Sequence, residues 1–287
     1  MHILITGALG RLGSCLIDVL DAQHDLIPAD VPEFDIADWS ATQAFIADAK
    51  PDLVIHPAAW TDVDGCANEP DQAIRINGLG AGNVAVAAAN VGAAVVYISS
   101  NEVFSGKEGR AYNEYDPTAP ANPYGYSKYV GEQAVMRATP RHMIVRIAWL
   151  FAHGGKNFVH AILNAASAGK PLRVVTDEIA NPTYANDVAQ GIAQLVTAGR
   201  YGTYHLTNAG YCSRYDFARH ILDHAGYAST PIEPITHADW QRPSTPPPFS
   251  PLANHTARAL GISLRPWQEA VNAFLVAEGK FVPPPHA

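Results

Sequence analysis

Tyr124 and Lys128 stand four residues apart in Asn122-Pro123-Tyr124-Gly125-Tyr126-Ser127-Lys128, where a proline permits a helix to begin. Residues four apart share a helix face, so phenol and ammonium point into one site. A lysine cation beside a phenol favours the phenolate and lowers its pKa, making the tyrosine a proton donor and acceptor near neutral pH. A hydroxyl partner is expected after the strand that precedes this helix, where α/β sheets place their ligands. Ser99 and Ser100 occupy that place in Tyr97-Ile98-Ser99-Ser100-Asn101-Glu102. Either can supply the hydroxyl, and either can instead cap a turn.

A second constellation lies at the start of the chain, in Thr6-Gly7-Ala8-Leu9-Gly10-Arg11-Leu12-Gly13. Gly7 permits a tight turn, Gly10 removes a side chain where backbone must approach phosphate, and Gly13 lets a helix pack close to the strand. Arg11 and Leu12 lie within this turn and are read with it as cofactor-binding. The spacing Gly-x-x-Gly-x-x-Gly differs from the Gly-x-Gly-x-x-Gly of two-domain dehydrogenases. Asp30 closes the second strand, where a carboxylate accepts hydrogen bonds from adenosine ribose hydroxyls, a feature favouring NADH. Arg11 argues the other way, as a guanidinium able to hold a 2′-phosphate or as a plain surface residue. The cofactor is therefore NADH or NADPH, and the chemistry that of an NAD(P)-dependent oxidoreductase.

The elements that must position these groups alternate as short β-branched runs and longer alanine-rich stretches. Strands are expected at His2 to Thr6, Asp25 to Ala29, Leu53 to His56, Ala94 to Ser99 and His142 to Ile147, with one helix over Pro70 to Asn90. Beyond Leu150, helices are expected over Asn157 to Ala168, Ala185 to Thr197 and Pro266 to Glu278, and a strand over Leu172 to Val175. The proline-rich segment Pro231 to Leu252 excludes a long regular element and reads as a folded loop lining a site or wrapping the smaller lobe. The tail Pro283-Pro284-Pro285 reads as frayed. The fold class is α/β: a Rossmann-type doubly wound parallel sheet with a smaller C-terminal substrate-binding lobe. Residues 1–150 form the NAD(P)-binding domain and 151–287 mainly the lobe, with part of 172–200 returning to the first domain.

Of 287 residues, 48% are hydrophobic and 16% charged, with a formal net charge of -8. That supports a sizeable core and no basic stripe, so nucleic acid is not expected as a partner. No apolar run approaches the ~20 residues of a membrane helix, and the opening strand leaves no room for a signal peptide. The three cysteines, Cys15, Cys66 and Cys212, show no CxxC spacing, which fits a reducing cytoplasm. Among the histidines, His220 and His224 are four apart but lack a third ligand, so no metal is expected.

Together these segments resemble the extended short-chain dehydrogenase/reductases, and most of all the dTDP-4-dehydrorhamnose reductases. The resemblance covers nearly the whole chain. It rests on Gly7 to Gly13, Ala58-Ala59-Trp60-Thr61-Asp62-Val63-Asp64 with Glu69-Pro70 and Asn77, the serine segment and Tyr124 to Lys128. Val145 to Phe151, Asn157-Phe158-Val159, Pro182-Thr183 and Asn186-Asp187 complete it. It implies that Ser100 is the catalytic hydroxyl, Tyr124 the proton donor and Lys128 the group holding the nicotinamide ribose. It also implies that Asp35 and Ile36 lie near the adenine and that Ala58 and Ala59 line the cofactor. Thr61, Val63 and Trp149 are implied to face the sugar. The implied reaction is reduction of a 4-keto group on a nucleotide-linked deoxysugar, and a homodimer is implied by analogy alone.

Three positions depart from the pattern. Asn101-Glu102 replaces the Asp-Tyr usual in these reductases, altering polarity beside the sugar, so both are counted as substrate-binding. Nucleotide-sugar 4,6-dehydratases carry Asp-Glu there, but Asn101 cannot donate a carboxylic proton. Arg242-Pro243 stands further from Ser250 than the family's Arg-Pro does, so Arg242 is either displaced or leaves the diphosphate to other groups. The alternatives are a reductase or epimerase of another nucleotide sugar, and a non-catalytic cofactor-binding regulatory subunit. The regulatory reading is weakened by retention of Ser100, Tyr124 and Lys128.

Overall fold

The computed structural model describes residues 1–32 and 34–283, and Pro284 and Pro285 of the tail lie outside the described residues. The chain runs β1 (His2–Thr6), α1 (Arg11–Leu20), β2 (Asp25–Ala29), α2 (Trp39–Ala49), β3 (Leu53–His56), α3 (Val63–Asn68), α4 (Pro70–Ala73), α5 (Ala81–Asn90), β4 (Ala94–Ser100), α6 (Pro123–Ala138) and β5 (His142–Ile147). It continues through β6 (Leu150–Phe151), α7 (Phe158–Ser167), β7 (Leu172–Val175), β8 (Ile179–Ala180), β9 (Thr183–Tyr184), α8 (Ala185–Ala198), β10 (Gly202–His205), β11 (Cys212–Ser213), α9 (Arg214–Asp223), β12 (Ile232–Ile235), α10 (His255–Ala259) and α11 (Trp267–Ala277).

Six parallel strands make one sheet in the order β2-β1-β3-β4-β5-β10. Its inner strands are buried on both faces, which is why they read as unbroken apolar runs rather than alternating ones. Ile3, Ile5, Val96 and Val145 point to one face, against Leu12 and Leu16 of α1 and Val188, Ile192 and Leu195 of α8. Leu4, Val54, Val95 and Ile144 point to the other, against Ile46 of α2, Val84 and Ala85 of α5 and Val135 of α6. At about 1.5–3 kcal/mol for each large apolar side chain removed from water, the two layers bind the sheet from both sides. The chain order reverses between β1 and β3, and that switch point opens a crevice at the C-terminal strand ends.

A separate core builds the smaller lobe from Phe151, Ile162, Leu163, Leu172, Phe217, Ile221, Trp267 and Phe274. β7 belongs to this lobe and pairs with β12 of the proline-rich segment, because Leu172 and Val174 pack with Phe217 and Ile221. The chain then goes back to the sheet through α8 and β10, and α10 follows it with Ala257.

The stretch from Pro70 to Asn90 is not one α-helix. Between α4 and α5, residues Ile74–Gly80 widen into π-helical turns. The wider turn aims the buried Asn77 at its neighbours: it accepts from Trp60 N at 2.8 Å and donates to Trp60 O at 3.0 Å and Ser127 Oγ at 2.9 Å. One side chain thereby ties the loop after β3 to α6, a tertiary demand that local periodicity does not register.

Candidate active site

A cavity of about 960 Å³ runs along the strand ends, from Gly7 and Asp30 past Ser100, Tyr124 and Lys128 to Trp149 and Arg214. At its first end Gly7 takes the left-handed conformation, φ 61°. A Cβ on Gly13 would fall 2.1 Å from Gly7 O, so α1 can approach β1 this closely only without a side chain there. Leu12 is buried behind the turn. Asp30 braces it: one carboxylate oxygen accepts from Leu9 N at 2.8 Å and the other from Val31 N at 2.8 Å. Each oxygen keeps a lone pair for a ribose hydroxyl. Arg11 reaches along the opening and donates to Lys156 O at 2.9 Å. Asp35, Ile36, Ala58 and Ala59 line the adjoining wall.

The catalytic candidates meet midway. Ser99 and Ser100 both line the cavity and are told apart by their partners: the Ser99 hydroxyl donates to the buried Glu132 Oε1 at 2.6 Å. The Ser100 hydroxyl accepts from Glu102 N at 3.2 Å and donates to Asn101 Oδ1 at 3.3 Å, at the cavity wall. Asn122 caps α6 by accepting from Gly125 N at 2.8 Å, and Pro123 opens its first turn. Tyr124 and Lys128 then follow on one face, both lining the cavity.

Electrostatics here differs from the expectation that Lys128 lowers the Tyr124 pKa. Burial raises the Tyr124 phenol well above its ordinary value, the Glu102 carboxylate adds to the rise, and the Ser100 hydroxyl opposes it. Lys128 is not among the groups that lower this pKa, and is itself pushed down to about 7 by burial, with Glu132 opposing. Lys128 is only 2% exposed, its ammonium lies 4.3 Å from the Tyr97 ring centroid, and it has no hydrogen-bond acceptor among the described residues. A buried ammonium with unfilled donors facing a cavity that begins at a phosphate-type turn fits the ribose hydroxyls of a nicotinamide dinucleotide.

Thr61, Val63, Glu102 and Trp149 line the far end. Trp149 holds φ 39°, an uncommon conformation for a bulky residue, next to the reaction centre. Asn101 also lines the cavity, and its amide donates to Ser250 Oγ at 2.7 Å, joining the proline-rich segment to the catalytic loop. Glu102 is anchored by Asn122 Nδ2 at 2.6 Å and its pKa is raised by burial. Arg242 does not line the cavity: the proline-rich segment folds over α3 and brings Nε to Asp64 Oδ1 at 2.9 Å. Arg214, absent from the sequence-based set, lines the cavity instead. Its sole sequence signal is its place at a helix start after Ser213, which indicates nothing about a ligand. His220 and His224 stack at 4.0 Å, and His220 Nε2 meets Asn272 Oδ1 at 3.0 Å.

A doubly wound parallel sheet with a glycine turn at its switch point, and a serine, tyrosine and lysine converging below it, defines an NAD(P)-dependent oxidoreductase of the extended short-chain dehydrogenase/reductase class. The profile described as RmlD substrate binding domain matches residues 1–279, and the chain belongs to that family. It is 37% identical over 274 residues to the spore coat polysaccharide biosynthesis protein SpsK of Bacillus subtilis, covering 95% of this chain and 96% of that one. It is 35% identical over 281 residues to dTDP-4-dehydrorhamnose reductase of Mycolicibacterium smegmatis, covering 96% and 85%. Among solved structures, a dTDP-4-dehydrorhamnose reductase of Clostridium acetobutylicum superposes with a TM-score of 0.94 at 36% identity, covering 97% of this chain and all (100%) of the other. One from Bacillus anthracis in complex with NADP gives 0.92 at 36% identity, covering 96% and 99%.

Proposed function

We propose that the protein reduces the 4-keto group of dTDP-4-dehydro-6-deoxy-L-mannose with NADPH or NADH, and that Ser100, Tyr124 and Lys128 carry the reaction. The supporting observation is their convergence on the cavity that begins at the Gly7 to Gly13 turn. A reduced nicotinamide dinucleotide, when bound, supplies the hydride that reaches the carbonyl carbon. Gly7, Gly10 and the α1 N-terminus receive its diphosphate, and Lys128 holds its ribose. The Ser100 hydroxyl turns from Asn101 to the carbonyl oxygen and stabilises the charge that collects there. Tyr124 gives that oxygen its phenolic proton. Burial keeps the phenol protonated in the resting site, and an alkoxide is a far stronger base than a phenolate, so the transfer runs downhill. Holding the reacting atoms about 3–3.5 Å apart removes most of the encounter entropy.

No helix among the described residues is long and apolar enough to cross a membrane. The reading carries with it a cytoplasmic location, in keeping with Cys15, Cys66 and Cys212 as free thiols. Incubating the protein with the keto-sugar and NADPH or NADH, and identifying the sugar by NMR, tests the assignment. A rhamnosyl product formed with equal consumption of reduced cofactor supports it. An epimerised keto-sugar with no cofactor consumed replaces it with epimerisation.

A further inference from the structure

Arg214 opens α9, and its base is rigid: its backbone N donates to Glu178 O at 3.1 Å, and Ser213 and Asp216 form a capping box beneath it. Its guanidinium carbon lies 3.6 Å from the Trp149 ring centroid and 5.1 Å from that of Phe158. Stacking occupies the faces of the guanidinium and leaves its edge, where the N–H donors lie, as its polar surface. That edge is unsatisfied. Glu178 meets it as an ion pair, Nε to Oε2 at 3.6 Å, but among the described residues no acceptor lies within hydrogen-bond distance. Burial pushes the Arg214 pKa down to about 10, with Glu178 and Glu102 opposing the fall and Arg242 adding to it. A half-buried guanidinium with open donors at a cavity wall is arranged for an acceptor that the protein does not provide.

We propose that Arg214 is a specificity-determining residue that hydrogen-bonds the ring hydroxyls beside the reacting carbonyl of the keto-sugar, a role that rests on the keto-sugar reading of this site. The carboxylates of Glu178 and Glu102 stabilise the positive form of Arg214 and the Arg242 guanidinium opposes them, so acceptors and donors are mixed here rather than cations gathered as a diphosphate would require. A hydroxyl accepts from the guanidinium and donates to a carboxylate at once. Position agrees with this. The Glu102 backbone N is hydrogen-bonded to Ser100 Oγ, and Arg214 lines the same cavity as Ser100 and Glu102. A site built around such donors rejects a sugar that lacks the hydroxyl, because the donors would be left unpaired.

The test compares Kd values for dTDP, dTDP-L-rhamnose and NADPH in wild type, Arg214→Met and Arg214→Lys, with NADPH oxidation by wild type on the keto-sugar measured separately. The ratio of the dTDP Kd to the dTDP-L-rhamnose Kd should fall about 10-fold or more in Arg214→Met, the loss expected for hydrogen bonds to a charged donor. NADPH affinity should hold. Arg214→Lys, which keeps the charge and the stem packing, should stay low because an ammonium lacks the planar fork, and it decides the matter if the methionine variant does not fold. Equal weakening of dTDP and dTDP-L-rhamnose marks a diphosphate contact and overturns the proposal, as does an unchanged ratio. If wild type fails to oxidise NADPH on the keto-sugar while the ratio still falls, the reaction assignment is lost and the Arg214 contact stands.

Discussion

Glu132 receives both ends of the Arg146 guanidinium, Nε and Nη2, at 2.8 Å each, and the pair lies buried beneath the catalytic residues. Arg146 sits opposite Ser99 in the β4–β5 register, and Ser99 gives its hydroxyl to the same Glu132. Glu132 is also one helical turn from Lys128. The strand carrying Ser100, the helix carrying Tyr124 and Lys128, and the strand leading to Trp149 are thus joined at one carboxylate.

Replacing Glu132 by Gln leaves the Arg146 charge buried without a counterion. The expected cost is about 3–5 kcal/mol, read as a lower midpoint in urea unfolding with an unchanged slope. A loss under about 1 kcal/mol would mean that the pair is a passive filler.

Acid should unfold the protein partly through His56. Burial, helped by the Lys128 charge, pushes this histidine down to about 3 in the folded state, against an unfolded value near 6.5. Between those values the unfolded chain binds a proton and the folded one does not, so stability is full above about pH 6.5 and is lost as pH falls towards 3. His205, also at about 3, adds in the same direction. Wild type should therefore lose about 1.4 kcal/mol per pH unit more than His56→Gln between pH 6 and 5. Parallel stability curves for the two proteins would contradict this.

Gly13→Ala should weaken NADPH binding about 10–100-fold, the loss of about one hydrogen bond to the charged diphosphate. The added Cβ meets backbone, Gly7 O, so the phosphate turn itself must move. A fluorescence titration that gives the wild-type Kd would show that the turn is not where the diphosphate rests.

Arg242→Ala should change stability by less than about 1 kcal/mol, because its ion pair with Asp64 is only partly buried. Denaturant unfolding beside Asp64→Asn checks it. A loss of several kcal/mol would reveal a buttressing role for the proline-rich segment that this one contact does not explain.

Five of the six parallel strands were legible as short apolar runs between turn residues, but β10 was not, because this edge strand mixes Gly202, Thr203 and His205 with a single apolar side chain, Tyr204. The glycine turn and the Tyr124 to Lys128 spacing were legible because short-range backbone geometry dictates both. Asn77 shows what local pattern omits: its π-helical turn exists to reach Trp60 and Ser127, distant in sequence. The Tyr124 pKa runs opposite to the sequence expectation because the Tyr-x-x-x-Lys spacing carries no information on the depth of burial or on the approach of Glu102, which raise it. Arg214 was missed and Arg242 misplaced for a related reason. Both depend on how the smaller lobe and the proline-rich segment fold against the catalytic loop.

The most direct test of the central claim is single-turnover oxidation of NADPH on dTDP-4-dehydro-6-deoxy-L-mannose by wild type and Tyr124→Phe, each shown beforehand to bind NADPH equally. Loss of the phenolic proton donor should slow the reduction step by about 10²–10⁴-fold. An undiminished rate in Tyr124→Phe would contradict the assignment of the proton donor, and with it the chemistry read from this site.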